Sequence, residues 1–243
     1  MNVFTIIDKI SVSEKKYPFE IFNKKNSCYS FINPYGYHLL RKNKYLYDQL
    51  DGLFVDGILM CLLINFFWNL RITRRSFDMT TVAKDLFNRL VETGESVYFV
   101  GARQEEIDNT IKKIQMEFPK MHIVGYNNGY FRNEEEKALC YSKIMNLNPD
   151  FVVVGMGAIL QEKFILNLHH LGYRGIAFTC GGYLRQASSG IYYFPDWAEK
   201  YHLRAIYRLY KEKGMYIRLY NVLVEFPLLF IYDYITTIFL KRK

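Results

Sequence analysis

The sequence contains no C-x-x-C pair, no H-x-x-x-H pair, no D-x-D, no G-x-x-x-x-G-K-[ST] and no G-x-G-x-x-G. Each absence removes a class of function. Its 4 cysteines (Cys28, Cys61, Cys140, Cys180) are far apart, which excludes a zinc knuckle or a small disulfide framework and reads as cytosolic thiols. The 5 histidines make no ligand pair on a helix, so a protein-held metal is not expected. Without a Walker A motif, or the third glycine of a dinucleotide fingerprint, neither a P-loop nor a nicotinamide site is indicated. Met1 to Lys16 lacks a basic leader and its apolar run is cut by Asp8, so no secretory signal is read there and the chain is expected on the cytoplasmic side. There is no internal repeat and no low-complexity linker.

What is present is a chain of 243 residues, 50% hydrophobic and 23% charged, enough for one large α/β domain or a domain with an appendage. The net charge of +8 is unevenly placed: residues 200–243 hold nine Lys/Arg against three Asp/Glu. A local positive field of that kind attracts phosphate, anionic lipid or nucleic acid.

Short apolar runs ending in turn residues predict strands at Cys28–Ile32, Leu53–Val55, Val97–Val100, His122–Gly125, Phe151–Val154 and Ile176–Thr179. Between them, Ile107, Ile111, Ile114 and Phe118, and likewise Met79, Val82, Leu86 and Leu90, fall at helical spacing. Further helices are expected over Glu134–Met145 and from just after Gly157 to about His170. This is the pattern of an α/β, Rossmann-like parallel sheet with helices on both faces. After Gly190 no strand is evident and aromatic and basic residues interleave, so the division predicted is a catalytic domain over 1–190 and a helical, basic, membrane-associating appendage over 191–243.

The sharpest local feature is Val154-Gly155-Met156-Gly157-Ala158, a buried strand, a G-x-G turn and a helix start. Backbone without Cβ atoms can approach a phosphate there, and a helix N-terminus offers free N–H groups. A tight turn with no ligand is the plainer reading. Asp56 ends the Leu53–Val55 run and is followed by Gly57; a carboxylate at the carboxyl edge of a sheet suits a general base, although a helix N-cap would use the same residues. Asn33 invites the same two readings. Gly181 and Gly182 give another close backbone approach, whereas Tyr126-Asn127-Asn128-Gly129-Tyr130 reads as a structural turn.

Phe31-Ile32-Asn33, Val55-Asp56-Gly57-Ile58, Tyr98-Phe99-Val100-Gly101, Ile123-Val124-Gly125 with Asn128-Gly129-Tyr130-Phe131, Val154-Gly155-Met156-Gly157-Ala158 with Gln161-Glu162, and Gly181-Gly182 come in the order seen in the WecG/TagA/CpsF glycosyltransferases. The resemblance runs from about Asn33 to Arg218. It implies an inverting, metal-independent enzyme, without cofactor, that moves a sugar from a UDP-sugar to a polyprenyl-diphosphate-linked sugar acceptor. It casts Asp56 as general base, Asn33 and Gln161 as active-site polar groups, and Gly101, Gly155, Gly157, Gly181 and Gly182 as substrate-binding backbone. Arg208, in Tyr207-Arg208-Leu209, and Arg218 match the family's appendage arginines. Three departures stand out: Phe31 where the family has Thr, Ile159-Leu160 where it has Pro-Lys, and Tyr193-Phe194-Pro195 where it has Arg-Ala-Pro. Arg185 or Arg204 could replace the missing arginine.

The chemistry is coherent on its own terms. An acceptor hydroxyl needs a base, and a departing diphosphate needs positive charge, supplied by a cation on D-x-D or, here, by arginines and helix N-termini. A dehydrogenase would share the sheet but should carry G-x-G-x-x-G. A non-enzymatic nucleotide- or anion-binding protein on the membrane surface, or a nucleic-acid binder, would leave Asp56, Asn33 and Gln161 unexplained, and no nucleic-acid partner is expected. Val222–Leu240 is apolar but interrupted by Glu225, Pro227 and Asp233 and followed by Lys241-Arg242-Lys243, which predicts peripheral attachment to anionic inner-leaflet lipid. Packing of that stretch on the domain, or in a homo-oligomer interface, is the alternative.

Overall fold

The protein is described from a computed structural model that covers residues 3–200, 203–211 and 215–241. Six strands are formed: β1 (Ser27–Ile32), β2 (Gly52–Val55), β3 (Ser96–Gly101), β4 (His122–Asn127), β5 (Phe151–Gly155) and β6 (Ile176–Thr179). All pairs are parallel, in the order β2-β1-β6-β5-β3-β4. Each predicted strand falls inside an observed one, and among the described residues no strand follows Gly190.

Alternation along the strands separates two cores. Cys28, Ile32, Leu53, Val55, Tyr98, Val100, Val152 and Val154 pack against helices that include Ile58–Trp68 and Leu160–His170. Tyr29, Phe54, Val97, Phe99, Phe151, Val153 and Phe178 face the other way, against Val82–Thr93, Gln104–Glu117 and Tyr183–Ala187. Helices on both faces leave the strands buried on two sides, which is why they read as continuous apolar runs.

Two boundaries shift. Met79 lies outside the Val82–Thr93 helix, because Thr81 Oγ1 both accepts from the Ser76 amide at 2.9 Å and donates to the Ser76 carbonyl at 2.7 Å, closing a loop just ahead of the first turn. The helix after Gly157 begins only at Leu160, with Ile159 at φ +75°.

The chain after residue 220 returns to the domain. A five-residue π-helical segment, Asn221–Glu225, leads into the helix Phe226–Lys241. Phe226 and Phe230 are buried, with Phe226 5.3 Å from the Tyr37 ring and Phe230 5.5 Å from Trp68. Asp233 accepts two bonds from Arg41, at 2.7 and 2.9 Å, and one from the Tyr37 hydroxyl at 3.0 Å. The charged pair is thereby satisfied in a buried place, which an isolated carboxylate could not be.

Candidate active site

Because every strand runs the same way, all six carboxyl ends meet at one edge. There they open into a cleft of about 690 Å³, and residues following each of them line it: Asn33 after β1, Asp56 after β2, Ala102 after β3, Gly129 after β4, Gly157 after β5 and Gly181 after β6.

Asp56 sits at the mouth of this cleft, its amide donating to the Ile32 carbonyl at 2.8 Å. The helix that follows has Gly57 as its N-cap, so Asp56 is not the cap; its side chain is 40% exposed and accepts from Arg74 at 3.4 Å. Gly57 takes φ +136°, and a Cβ there would come within 2.8 Å of Pro34. Only glycine lets the chain turn away from Asp56 at that point.

Arg74 belongs to a cluster that sequence reasoning missed. The loop before the Val82–Thr93 helix carries Arg74, Ser76, Asp78 and Thr80, and Arg204 reaches it from the C-terminal segment. Arg204 donates to Asp78 Oδ2 at 2.6 Å and to Thr80 Oγ1 at 2.7 Å, and its guanidinium lies 4.6 Å from the Phe194 ring centroid. Burial works against the charge of Asp78, but Arg204 and the hydrogen bonds from Ser76 and Thr80 outweigh it and hold the carboxyl below its ordinary value. The stretch Asn69–Asp78 has neither periodicity nor motif, so only the adjacent basic residues Arg74-Arg75 could have flagged it. Arg185 and Arg204, the two options raised above for the absent family arginine, both line the cleft.

The remaining predicted residues divide by what they touch. Asn33 Oδ1 accepts from the Gly36 amide at 2.8 Å and closes the turn after β1. Gln161, 4% exposed, accepts from the Gly181 amide at 3.1 Å and donates to Glu162 at 3.0 Å, so it sets the backbone of the β6 loop. Glu162 lies beneath, accepting from Ser30 at 2.7 Å and from the Ile159 amide at 2.6 Å, with Thr179 donating to Ser30 at 2.9 Å. Burial raises the pKa of Glu162 against the opposing pull of these bonds. Serine, threonine and glutamate thus tie β1, β6 and the helix after β5 into one polar brace under the cleft.

The glycines separate too. Gly101 does not line the cleft: a Cβ on it would sit 2.4 Å from the Gly155 carbonyl, so its role is close packing of β3 on β5. Gly155 lines the cleft but is itself pressed against Cys180 and Gly181. Gly157, at φ +83°, and Gly181, at φ +56°, have open space where a Cβ would stand, and Gly182 is nearly as open. These three are the exposed backbone of the cleft. Gly129 and Tyr130, read from the sequence as a structural turn, also line it, since the Gly129 amide donates to the Ala102 carbonyl at 2.9 Å and brings the β4 loop alongside. The side chains of Arg208 and Arg218 lie outside the described residues. Among the described residues no group of three or more His, Cys, Asp or Glu gathers as a metal site would.

Three guanidiniums, from Arg74, Arg185 and Arg204, and three open glycines, with the Asp56 carboxylate at the carboxyl edge of a parallel sheet, suit a phosphate-bearing substrate. Residues 7–242 match the Glycosyl transferase WecG/TagA/CpsF family. The chain belongs to that family. Among its relatives is the UDP-Gal:alpha-D-GlcNAc-diphosphoundecaprenol beta-1,4-galactosyltransferase of Shigella boydii, 29% identical over 88% of this chain and 90% of the relative. The N-acetylglucosaminyldiphosphoundecaprenol N-acetyl-beta-D-mannosaminyltransferase of Bacillus subtilis strain 168 is 27% identical over 86% of this chain and 78% of the relative. The enzyme of the same name from Bacillus spizizenii is 31% identical over 77% and 72%. WecG/TagA/CpsF membership thus extends over the C-terminal segment as well as the sheet.

Proposed function

We propose that the chain is an inverting, metal-independent glycosyltransferase that moves a sugar from a UDP-sugar to a polyprenyl-diphosphate-linked sugar in bacterial cell-surface polysaccharide synthesis. The observation that carries this reading is Asp56 sharing one cleft with Arg74 and Arg204. Asp56 takes the proton of the acceptor hydroxyl as that oxygen bonds to the anomeric carbon. The bond to the β-phosphate oxygen breaks on the opposite face, and its electron pair leaves with UDP. The guanidiniums and the N–H groups after Gly157 stabilise the charge that develops there. The Gln161–Glu162 brace keeps the Gly181 backbone in place throughout.

The same proposal puts the work at the inner face of the membrane, with 1–190 as catalytic unit and 191–243 as an appendage meeting anionic lipid. Leu223, Leu228, Ile231, Tyr232 and Ile235 are exposed, which supports a lipid-facing side. The helix over Asn221–Ile238 is long and apolar enough to cross a membrane by length and composition. Asp233, held by Arg41 and Tyr37, and the buried Phe226 and Phe230 favour the helix lying along the domain.

The test is UDP release from a panel of UDP-sugars, UDP-galactose and UDP-N-acetylmannosamine first, with N-acetylglucosamine diphosphate on a polyprenyl chain as acceptor. Turnover that survives EDTA is expected. No UDP release with any donor would defeat the assignment, and loss to EDTA restored by Mn²⁺ would defeat metal independence.

A further inference from the structure

The helix Ile58–Trp68 starts two residues after Asp56 and none of its 11 residues is charged. Its inner face is fixed by the buried Met60, Cys61 and Ile64, and its asparagine is turned to the neighbouring loop, Asn65 exchanging two 2.9 Å bonds with the Ile72 backbone. What remains outside is Ile58, Leu62 and Phe66, four residues apart and therefore one stripe along the helix. Their exposure climbs from 36% to 58% to 80% with distance from the cleft.

Ile58 belongs to both surfaces, since it also lines the cleft. The cleft has apolar lining in Leu39, Leu59, Leu219 and Val222, and charged lining in Asp56, Arg74, Asp78, Glu106, Arg185 and Arg204. One cleft thus offers both charged groups suited to diphosphates and apolar lining, and through Ile58 it meets the apolar stripe of a helix about 16 Å long at ~1.5 Å per residue. An acceptor of the class proposed above has the same two parts. Its diphosphate must stay near the arginines while its hydrocarbon chain leaves the cleft and returns to the bilayer.

We propose that the Ile58–Leu62–Phe66 stripe is the exit track of the acceptor's polyprenyl chain. This rests on the glycosyltransferase reading and adds to it where the chain leaves. Continuity with the cleft favours the acceptor's own chain over bulk lipid as the occupant. The rising exposure fits a chain passing from enclosure to open membrane.

The experiment compares two soluble acceptors, N-acetylglucosamine diphosphate carrying a farnesyl or a methyl group, in detergent-free buffer with wild type and L62N/F66N. Wild type is expected to favour the farnesyl acceptor in kcat/KM by about tenfold or more, from burying one or two apolar groups. In L62N/F66N that ratio should fall to about one, with the same UDP-dependent thermal shift as wild type reporting an intact fold. L62A/F66A, which shortens the side chains without adding polarity, should give an intermediate ratio. A full farnesyl preference in both variants overturns the track, and so does wild type that shows no preference. Retained preference together with lost sedimentation on anionic vesicles overturns it too, and assigns the stripe to the bilayer. Wild type inactive on both acceptors would instead count against the glycosyltransferase reading.

Discussion

Arg74 and Arg204, 130 positions apart in the chain, donate to the same two hydroxyls: Ser76 at 3.1 and 3.3 Å and Thr80 at 3.1 and 2.7 Å respectively. Two like charges in one place repel unless anions answer them, and Asp56 and Asp78 do so one for one, Asp56 with Arg74 and Asp78 with Arg204. The two guanidiniums are thus held side by side at the cleft by shared hydroxyls and by a carboxylate each.

Replacing Arg204 therefore has two separable consequences. Arg204→Gln leaves Asp78 buried without its main partner, and stability should fall by about 3 kcal/mol. Adding Asp78→Asn should recover most of that loss, but turnover should stay down by about 10²-fold. Thermal unfolding and UDP-release kinetics on the two variants distinguish the roles: a double variant that regains turnover would make Arg204 structural alone.

Asp56→Asn should preserve UDP binding and lower kcat by about 10²-fold or more, the usual scale for a general base. Its side chain is 40% exposed and its bond from Arg74 is long, at 3.4 Å, so little stability should be lost. Near wild-type kcat would remove Asp56 from the mechanism.

The glycines offer a contrast within one motif set. Gly101→Ala places a methyl 2.4 Å from the Gly155 carbonyl and should prevent normal folding. Gly182→Ala, at ordinary φ with its nearest neighbour 4.0 Å away, should fold normally yet weaken UDP binding by about tenfold. Circular dichroism with UDP titration reads both. Unaltered UDP affinity in Gly182→Ala would separate that loop from the nucleotide.

His169 is expected to make stability depend on pH in mild acid. Burial, helped by Arg174 and His170, pushes its pKa down to about 4 against the opposing Asp51. Its Nε2 is buried without a hydrogen-bond partner among the described residues. The unfolded chain takes the proton near pH 6.5, so between about 6.5 and 4 the unfolded state binds more protons and stability falls as pH falls. His169→Leu should flatten that slope, measured as urea midpoints at pH 7 and pH 5. An equal slope in the variant would place the sensitivity elsewhere.

The strands were legible because a sheet covered on both faces demands continuous Val, Ile and Phe, and Phe151 to Val154 meets that demand without help from distant residues. Asp56 could be placed for the same reason, since a carboxylate ending such a run has to emerge at the sheet edge. Asn33 and Gln161 were found as positions, yet the contacts that define them, to Gly36 and Gly181, depend on loop paths no spacing encodes. Arg74 and Asp78 lie in an irregular stretch and gain meaning only from Arg204, 126 residues beyond Asp78. The docking of the last helix was hidden in the same way: Asp233 looks like an obstacle in an apolar run until Arg41, 192 residues earlier, is set against it.

The strand order carries a consequence for synthesis. β1 has β2 on one side and β6 on the other, and β6 alone joins that pair to β5, β3 and β4. Until the ribosome has released Ile176–Thr179, the nascent chain holds two separate pieces of sheet, each with an open edge lined by apolar residues. One of the two central strands of the finished sheet, β6, is the last to be made. The sheet is then closed at its middle, and between the emergence of Phe151–Gly155 and that of Ile176–Thr179 the edges of β1 and β5 both stand unpaired and open to wrong pairing.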